Sequence, residues 1–195
     1  MLLSVALIAV LAPGRAAPAA AAPPERDPGG LTALIAGVES SAVPRAWTQI
    51  MLHHSATTAG DVASIDATHR RQRDRLGNPW LGIGYHFVVG NGQQMADGEI
   101  QSTFRWLRQL PGAHAGTQTH NEQAIGICLI GNFDDSAPTD RQIAAVRNLV
   151  RFLAQRYAIP RERLLRHLDA QATRCPGRKF PWELVRGDLP PAAEL

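Results

Sequence analysis

Cysteine is scarce: Cys128 and Cys175 are the only two in 195 residues. A dense disulfide framework of the kind that staples small exported domains is therefore excluded, and stability must come from a core or a metal. Long apolar runs are missing as well. The N-terminal stretch Leu2–Ala12 is apolar for about eleven residues, whereas a helix that crosses a bilayer needs about twenty. The excess of positive charge is small, with 20 Lys and Arg against 17 Asp and Glu and a formal net charge of +3. No basic stripe interleaved with aromatics accompanies it, so no nucleic acid partner is expected. An anionic polymer suits the charge equally well. Internal repeats and a second domain are absent, and no His-Glu-x-x-His helix is present, which removes one large class of zinc peptidases.

What the chain has is enough apolar content, 45%, to bury one proper core. Leu2–Ala12 is followed by Pro13-Gly14 and the small-residue tract Ala16–Pro23. This pattern predicts a secretory signal peptide over 1–23, although no Lys or Arg precedes the apolar run. A disordered Ala/Pro leader is the rival reading. Export to the periplasm or medium is expected, with no stable membrane insertion after cleavage. Residues 24–46 read as a linker with one short helix, Leu31–Gly37, and residues 47–190 as the functional domain.

Trp47–His53 reads as a strand. A helix over 61–73 follows, with Asp61 as N-cap. Ile83–Val89 reads as a strand, Asn91-Gly92 as a hairpin turn, and Gln94–Ile100 as the returning strand. Ile125–Ile130 is a continuous apolar run, predicting a buried central strand with Cys128 as a small buried thiol. Thr139 and Gln142 form a capping-box pattern, and Ile143, Val146, Val150 and Leu153 then give one apolar helix face. Pro160 ends that helix. A short helix over 161–165 and a closing turn at Trp182–Val185 complete the domain. The expected class is α/β, a single domain with a mixed central β-sheet flanked by helices.

The chemistry concentrates in Arg166–Gly177. His167 and Cys175 lie eight residues apart, with Pro176-Gly177 turning the chain immediately afterwards. Imidazole and thiolate suit zinc, and a catalytic zinc takes three protein ligands and leaves one position open. The third donor is sought in Met51–Thr57, where an apolar strand arrives at His53-His54. Adjacent strand residues face opposite ways, so only one of the pair can reach a given metal. The residues themselves leave open which one. Asp169 is either a carboxylate partner for His167 or an ordinary exposed acid.

Five blocks occur in order: Ile50–Thr57, Gly82–Val89, Gly112–Ala115, Ile125–Phe133 and His167 through Thr173-Arg-Cys-Pro-Gly177. The chain thereby resembles the zinc N-acetylmuramoyl-L-alanine amidases, a family shared by a phage lysozyme and the peptidoglycan recognition proteins, from about residue 47 to about residue 185. The resemblance implies a Zn2+ ion held by His53, His167 and Cys175. It implies catalytic roles for Tyr85 and Thr173 at a developing oxyanion, and substrate contacts at His114, His54 and Asn132. The implied substrate is peptidoglycan or a muropeptide, cut between N-acetylmuramic acid and L-alanine by a monomer. The alternative is a non-catalytic peptidoglycan-binding module, which in this family goes with loss of the ligand cysteine. A cysteine, Cys128, stands where some cytoplasmic relatives carry a glutamate as general base. That departure leaves the proton chemistry to the metal site itself, assisted by Tyr85 or Thr173.

Overall fold

The computed structural model describes residues 42–74 and 76–194. The expected signal peptide, the short helix at 31–37 and most of the linker lie outside the described residues. Five strands make one sheet: β1 (Gln49–His54), β2 (Phe87–Val89), β3 (Ile100–Ser102), β4 (Ala124–Leu129) and β5 (Leu164–Arg166). The helices are α1 (Val62–Arg70), α2 (Phe104–Leu107), α3 (Gln118–Gln123), α4 (Asp140–Tyr157) and α5 (Trp182–Arg186). The sheet order is β3-β2-β4-β1-β5. β4 and β5 flank β1 in parallel, β2 runs parallel to β4, and β3 closes the edge antiparallel to β2. This is the expected mixed sheet. Among the described residues no helix is long and apolar enough to cross a membrane.

Side-chain alternation divides the sheet into two faces. Ile50 and Leu52 of β1 join Ile125, Ile127 and Leu129 of β4 in a core with Val146, Leu149, Val150 and Leu153 of α4. The residues between them face the other way: Met51 pairs with Gly126, and His53 with Cys128. One register therefore supplies both an aliphatic layer and a face carrying a histidine and a thiol. α4 begins at the expected capping box, Thr139 Oγ1 accepting from Gln142 N–H at 3.0 Å and Gln142 Oε1 from Thr139 N–H at 3.2 Å. The same Gln142 amide donates to Ile130 O at 2.9 Å and Val89 O at 3.3 Å, so it also closes the ends of β4 and β2.

Three local expectations are corrected. The strand expected from Ile83 starts only at Phe87, because α1 takes the backbone donors before it. Asp66 Oδ1 accepts Ile83 N–H at 2.8 Å, and His69 Nδ1 accepts Gly84 N–H at 3.0 Å. The Asn91-Gly92 turn forms, with Gly92 N–H donating to Met95 O at 2.9 Å, but within a longer connection, and the returning strand begins at Ile100. The helix expected over 161–165 is a single 3₁₀ turn, Arg161–Arg163, and the chain then extends as β5 against β1.

Candidate active site

β1 and β5 bring two histidines together. Leu52 pairs with Arg166 across the parallel ladder, so the next residues, His53 and His167, emerge side by side with ring centroids 4.5 Å apart. Cys175 arrives on the loop before α5, its Sγ 3.9 Å from His53 Nδ1 and 3.3 Å from the His54 N–H that points at it. Ligand atoms of His53, His167 and Cys175 all lie within 4.8 Å of one another. The loop is held from both sides: Leu168 N–H donates to Cys175 O at 2.9 Å, and Cys175 N–H to Thr173 Oγ1 at 3.2 Å. Gly177 follows at φ +101°, where a Cβ would stand 2.5 Å from the Phe133 carbonyl carbon, so a larger residue would displace the turn that aims the thiol.

The donor set fits zinc. It offers two imidazoles and one sulfur and no carboxylate, which disfavours magnesium or calcium. His167 Nε2 is buried without a hydrogen-bond partner, a costly arrangement unless something else occupies that lone pair or proton. Burial holds the His53 and His167 imidazoles below their ordinary pKa, so they are neutral, as ligands must be. Burial also pushes the Cys175 thiol up to about 12. A bound cation reverses that preference by drawing the thiol proton off.

Beside these three residues opens a cavity of about 920 Å³, lined by His167, His114, Tyr85, His69, Trp80 and Asn121 among others. The Tyr85 ring sits 5.1 Å from that of His53. Desolvation, with the Cys128 and Cys175 thiols close by, raises its phenol well above the ordinary value. His114 is 7% exposed, its Nδ1 3.0 Å from His53 Nε2 and its Nε2 3.3 Å from Ala124 O. Thr173 lines a second groove of about 490 Å³ with Arg166, Arg174 and Trp182. His54 turns to the opposite face of the sheet, its ring 5.9 Å from Phe133. Asn132 organises the loop after β4, donating to Asp135 Oδ2 at 2.6 Å and accepting from Asp134 N–H at 3.2 Å. Asp169 pairs with Arg166 at 2.9 Å and takes no part in orienting His167.

The family described as N-acetylmuramoyl-L-alanine amidase matches residues 43–178. The chain belongs to this amidase family. It is 32% identical to a peptidoglycan-recognition protein of Drosophila simulans over 146 residues, covering 70% of the chain and 72% of the relative. An N-acetylmuramoyl-L-alanine amidase of Sus scrofa is 33% identical over 135 residues, 66% of this chain but 21% of that much longer protein. In structure, the endolysin amidase LysCS of Clostridium intestinale superposes with TM-score 0.61 at 31% identity, covering 75% of this chain and 88% of that one. Drosophila PGRP-LB, solved as a mutant in complex with tracheal cytotoxin, gives 0.54 at 25% identity over 73% and 82% of the two chains.

In this amidase-family site, three supporting residues carry no signal in the sequence. His69 on α1 accepts the Gly84 N–H, and its ring lies 5.6 Å from Tyr85 and 5.4 Å from Trp80. Arg105 on α2, 5% exposed, donates from Nε to Ile83 O and from Nη1 to Pro111 O, each at 2.5 Å. It thereby ties the segment before Tyr85 to the segment before His114. Asn121 on α3 accepts the backbone N–H of both His114 and Ala115 on one oxygen, at 2.8 and 2.9 Å. Each acts on the backbone of a segment outside its own helix, and only the folded chain reveals the pairing.

Proposed function

We propose that the chain is a zinc-dependent hydrolase that cuts the amide bond between N-acetylmuramic acid and L-alanine in peptidoglycan. The observation that carries this reading is the convergence of His53, His167 and Cys175 within 4.8 Å at the head of the Tyr85-lined cleft. These three residues would hold the ion. When bound, zinc supplies a Lewis acid and a water acidified toward about pKa 7. Tyr85 keeps its proton because burial and the neighbouring thiols raise its pKa. It therefore donates to the amide oxygen as negative charge develops there. Thr173 Oγ1 accepts from Cys175 N–H, which leaves its hydroxyl hydrogen for a second donation. Cys128, fully buried, offers no carboxylate to act as general base.

On this proposal the domain spans 47–190, follows a signal peptide at 1–23 and a linker at 24–46, and acts as an exported monomer. A second reading, peptidoglycan binding without cleavage, draws on the relatives named recognition proteins and on the PGRP-LB complex with tracheal cytotoxin. Retention of Cys175 favours the enzyme. The deciding experiment incubates the zinc-loaded full chain with muropeptides and reads the products by mass spectrometry. Free stem peptides beginning with L-alanine are expected from the native chain and none from Cys175→Ala. Intact muropeptides retained by a zinc-loaded native chain would establish the binding module instead.

A further inference from the structure

The His114 imidazole lies in a slot that two glycines leave open. A Cβ on Gly126 would stand 2.4 Å from His114 Cδ2, and one on Gly112 would stand 2.3 Å from the same atom. Neither position tolerates a side chain while the ring is there. Asn121 clamps the loop that carries the ring, and Gly112 N–H donates to Asn121 O at 2.8 Å to close it. So much local restraint on one buried ring calls for a role that depends on its orientation.

The two ring nitrogens have separate partners. Ala124 O, 3.3 Å from Nε2, can only accept, so Nε2 carries the hydrogen. A neutral imidazole has one bare nitrogen, and here it is Nδ1, which faces His53 Nε2 at 3.0 Å. The hydrogen between the two rings therefore belongs to His53 Nε2. His53 Nδ1 is then left bare, and it points toward Cys175 Sγ at 3.9 Å. Each assignment follows from the one before it, starting from a carbonyl that has no alternative.

We propose that His114 is a positioning residue for the metal centre, fixing His53 in the tautomer whose Nδ1 lone pair faces His167 and Cys175. This rests on the zinc reading above and gives His114 a task that it performs through His53. Ligating imidazoles commonly hand their second N–H to a carboxylate or a carbonyl. Here a histidine relays that interaction to the Ala124 carbonyl.

The test uses two readouts that need no substrate. Long-range 1H–15N correlation of the imidazoles in the metal-free chain is expected to show His53 protonated at Nε2. In His114→Ala that signature should redistribute between the two nitrogens, and zinc affinity, measured by chelator competition, should fall about 10–100-fold. His114→Gln can accept from His53 through its oxygen and donate to Ala124 O through its nitrogen, so it should recover most of the affinity. If His114→Ala does not fold, His114→Gln and the native tautomer decide the matter. Protonation of native His53 at Nδ1, or undiminished zinc affinity in His114→Ala, would overturn the proposal. A native chain with this tautomer and tight zinc that leaves muropeptides intact would sink the amidase reading and leave this one standing.

Discussion

Burial pushes both the Tyr85 phenol and the Cys128 thiol toward their protonated forms. A tyrosine in that state is a donor, and its contribution should appear only as charge develops on the substrate oxygen. Tyr85→Phe is expected to keep its zinc and lose about 10²–10³ in kcat with KM little changed. Steady-state kinetics alongside metal analysis checks this, and an unchanged kcat would reduce Tyr85 to a packing residue. The histidine pair makes a sharper contrast. His53→Ala should abolish zinc binding, whereas His54→Ala should keep zinc and soften the fold, because its ring packs near Phe133 on the other face. The reverse pattern in metal analysis would mean that the ligand assignment is off by one residue.

At the scale of elements, α4 and β5 do different work. α4 presents Val146, Leu149, Val150 and Leu153, all 0% exposed, to the sheet, and burying each such side chain stabilises by roughly 1.5–3 kcal/mol. Leu149→Ala leaves a hole between helix and sheet and should cost about 2–5 kcal/mol, read as a shift in urea midpoint at constant slope. A cost near zero would mean that α4 does not carry this core. β5 buries little, yet its pairing of Arg166 with Leu52 delivers His167 to His53. Three residues of strand thus decide whether the two histidine rings meet.

For the whole molecule, the site face of the sheet is rich in buried neutral histidines, and that sets the acid limit of the fold. His86 is fully buried. It accepts Gly126 N–H on Nδ1 at 2.8 Å, and its Nε2 lies 3.0 Å from Leu110 O. Desolvation, with Arg105 and Arg45 adding repulsion, lowers its pKa from 6.5 to about 3. Above about pH 6.5 neither state binds this proton, and the stability is fully present. As pH falls from 6.5 toward 3 the unfolded chain takes up the proton and the native chain does not, so stability is lost. The slope from this one group approaches about 1.4 kcal/mol per pH unit. Denaturant titrations of the metal-free chain at pH 7 and pH 5 should show the drop, and a His86→Gln variant, if it folds, should show a shallower one. Equal slopes in the two proteins would place the acid sensitivity elsewhere.

Local sequence determined a good deal. The capping box at Thr139 and Gln142, the i, i+3 and i+4 apolar stripe of α4, and the unbroken apolar runs of β1 and β4 are signals carried by neighbouring residues, and each produced its element. Strand alternation alone established that His53 and His54 part company, and the His167–Cys175 spacing with the glycine turn marked two residues that the fold gathers beside His53. Other features depend on distant partners. β5 lay hidden because Leu164–Arg166 is too short to show a period and becomes a strand only by pairing with β1. The strand expected from Ile83 was shortened by Asp66 and His69, side chains from a different element that compete for its backbone donors. His114 offered no local sign that it would reach His53, since that contact needs Gly126 from β4, Gly112 from its own loop and Asn121 from α3 at once. Propensity and periodicity act over a few residues, whereas register between strands and the partners of buried polar atoms are settled only when separate segments close on one another.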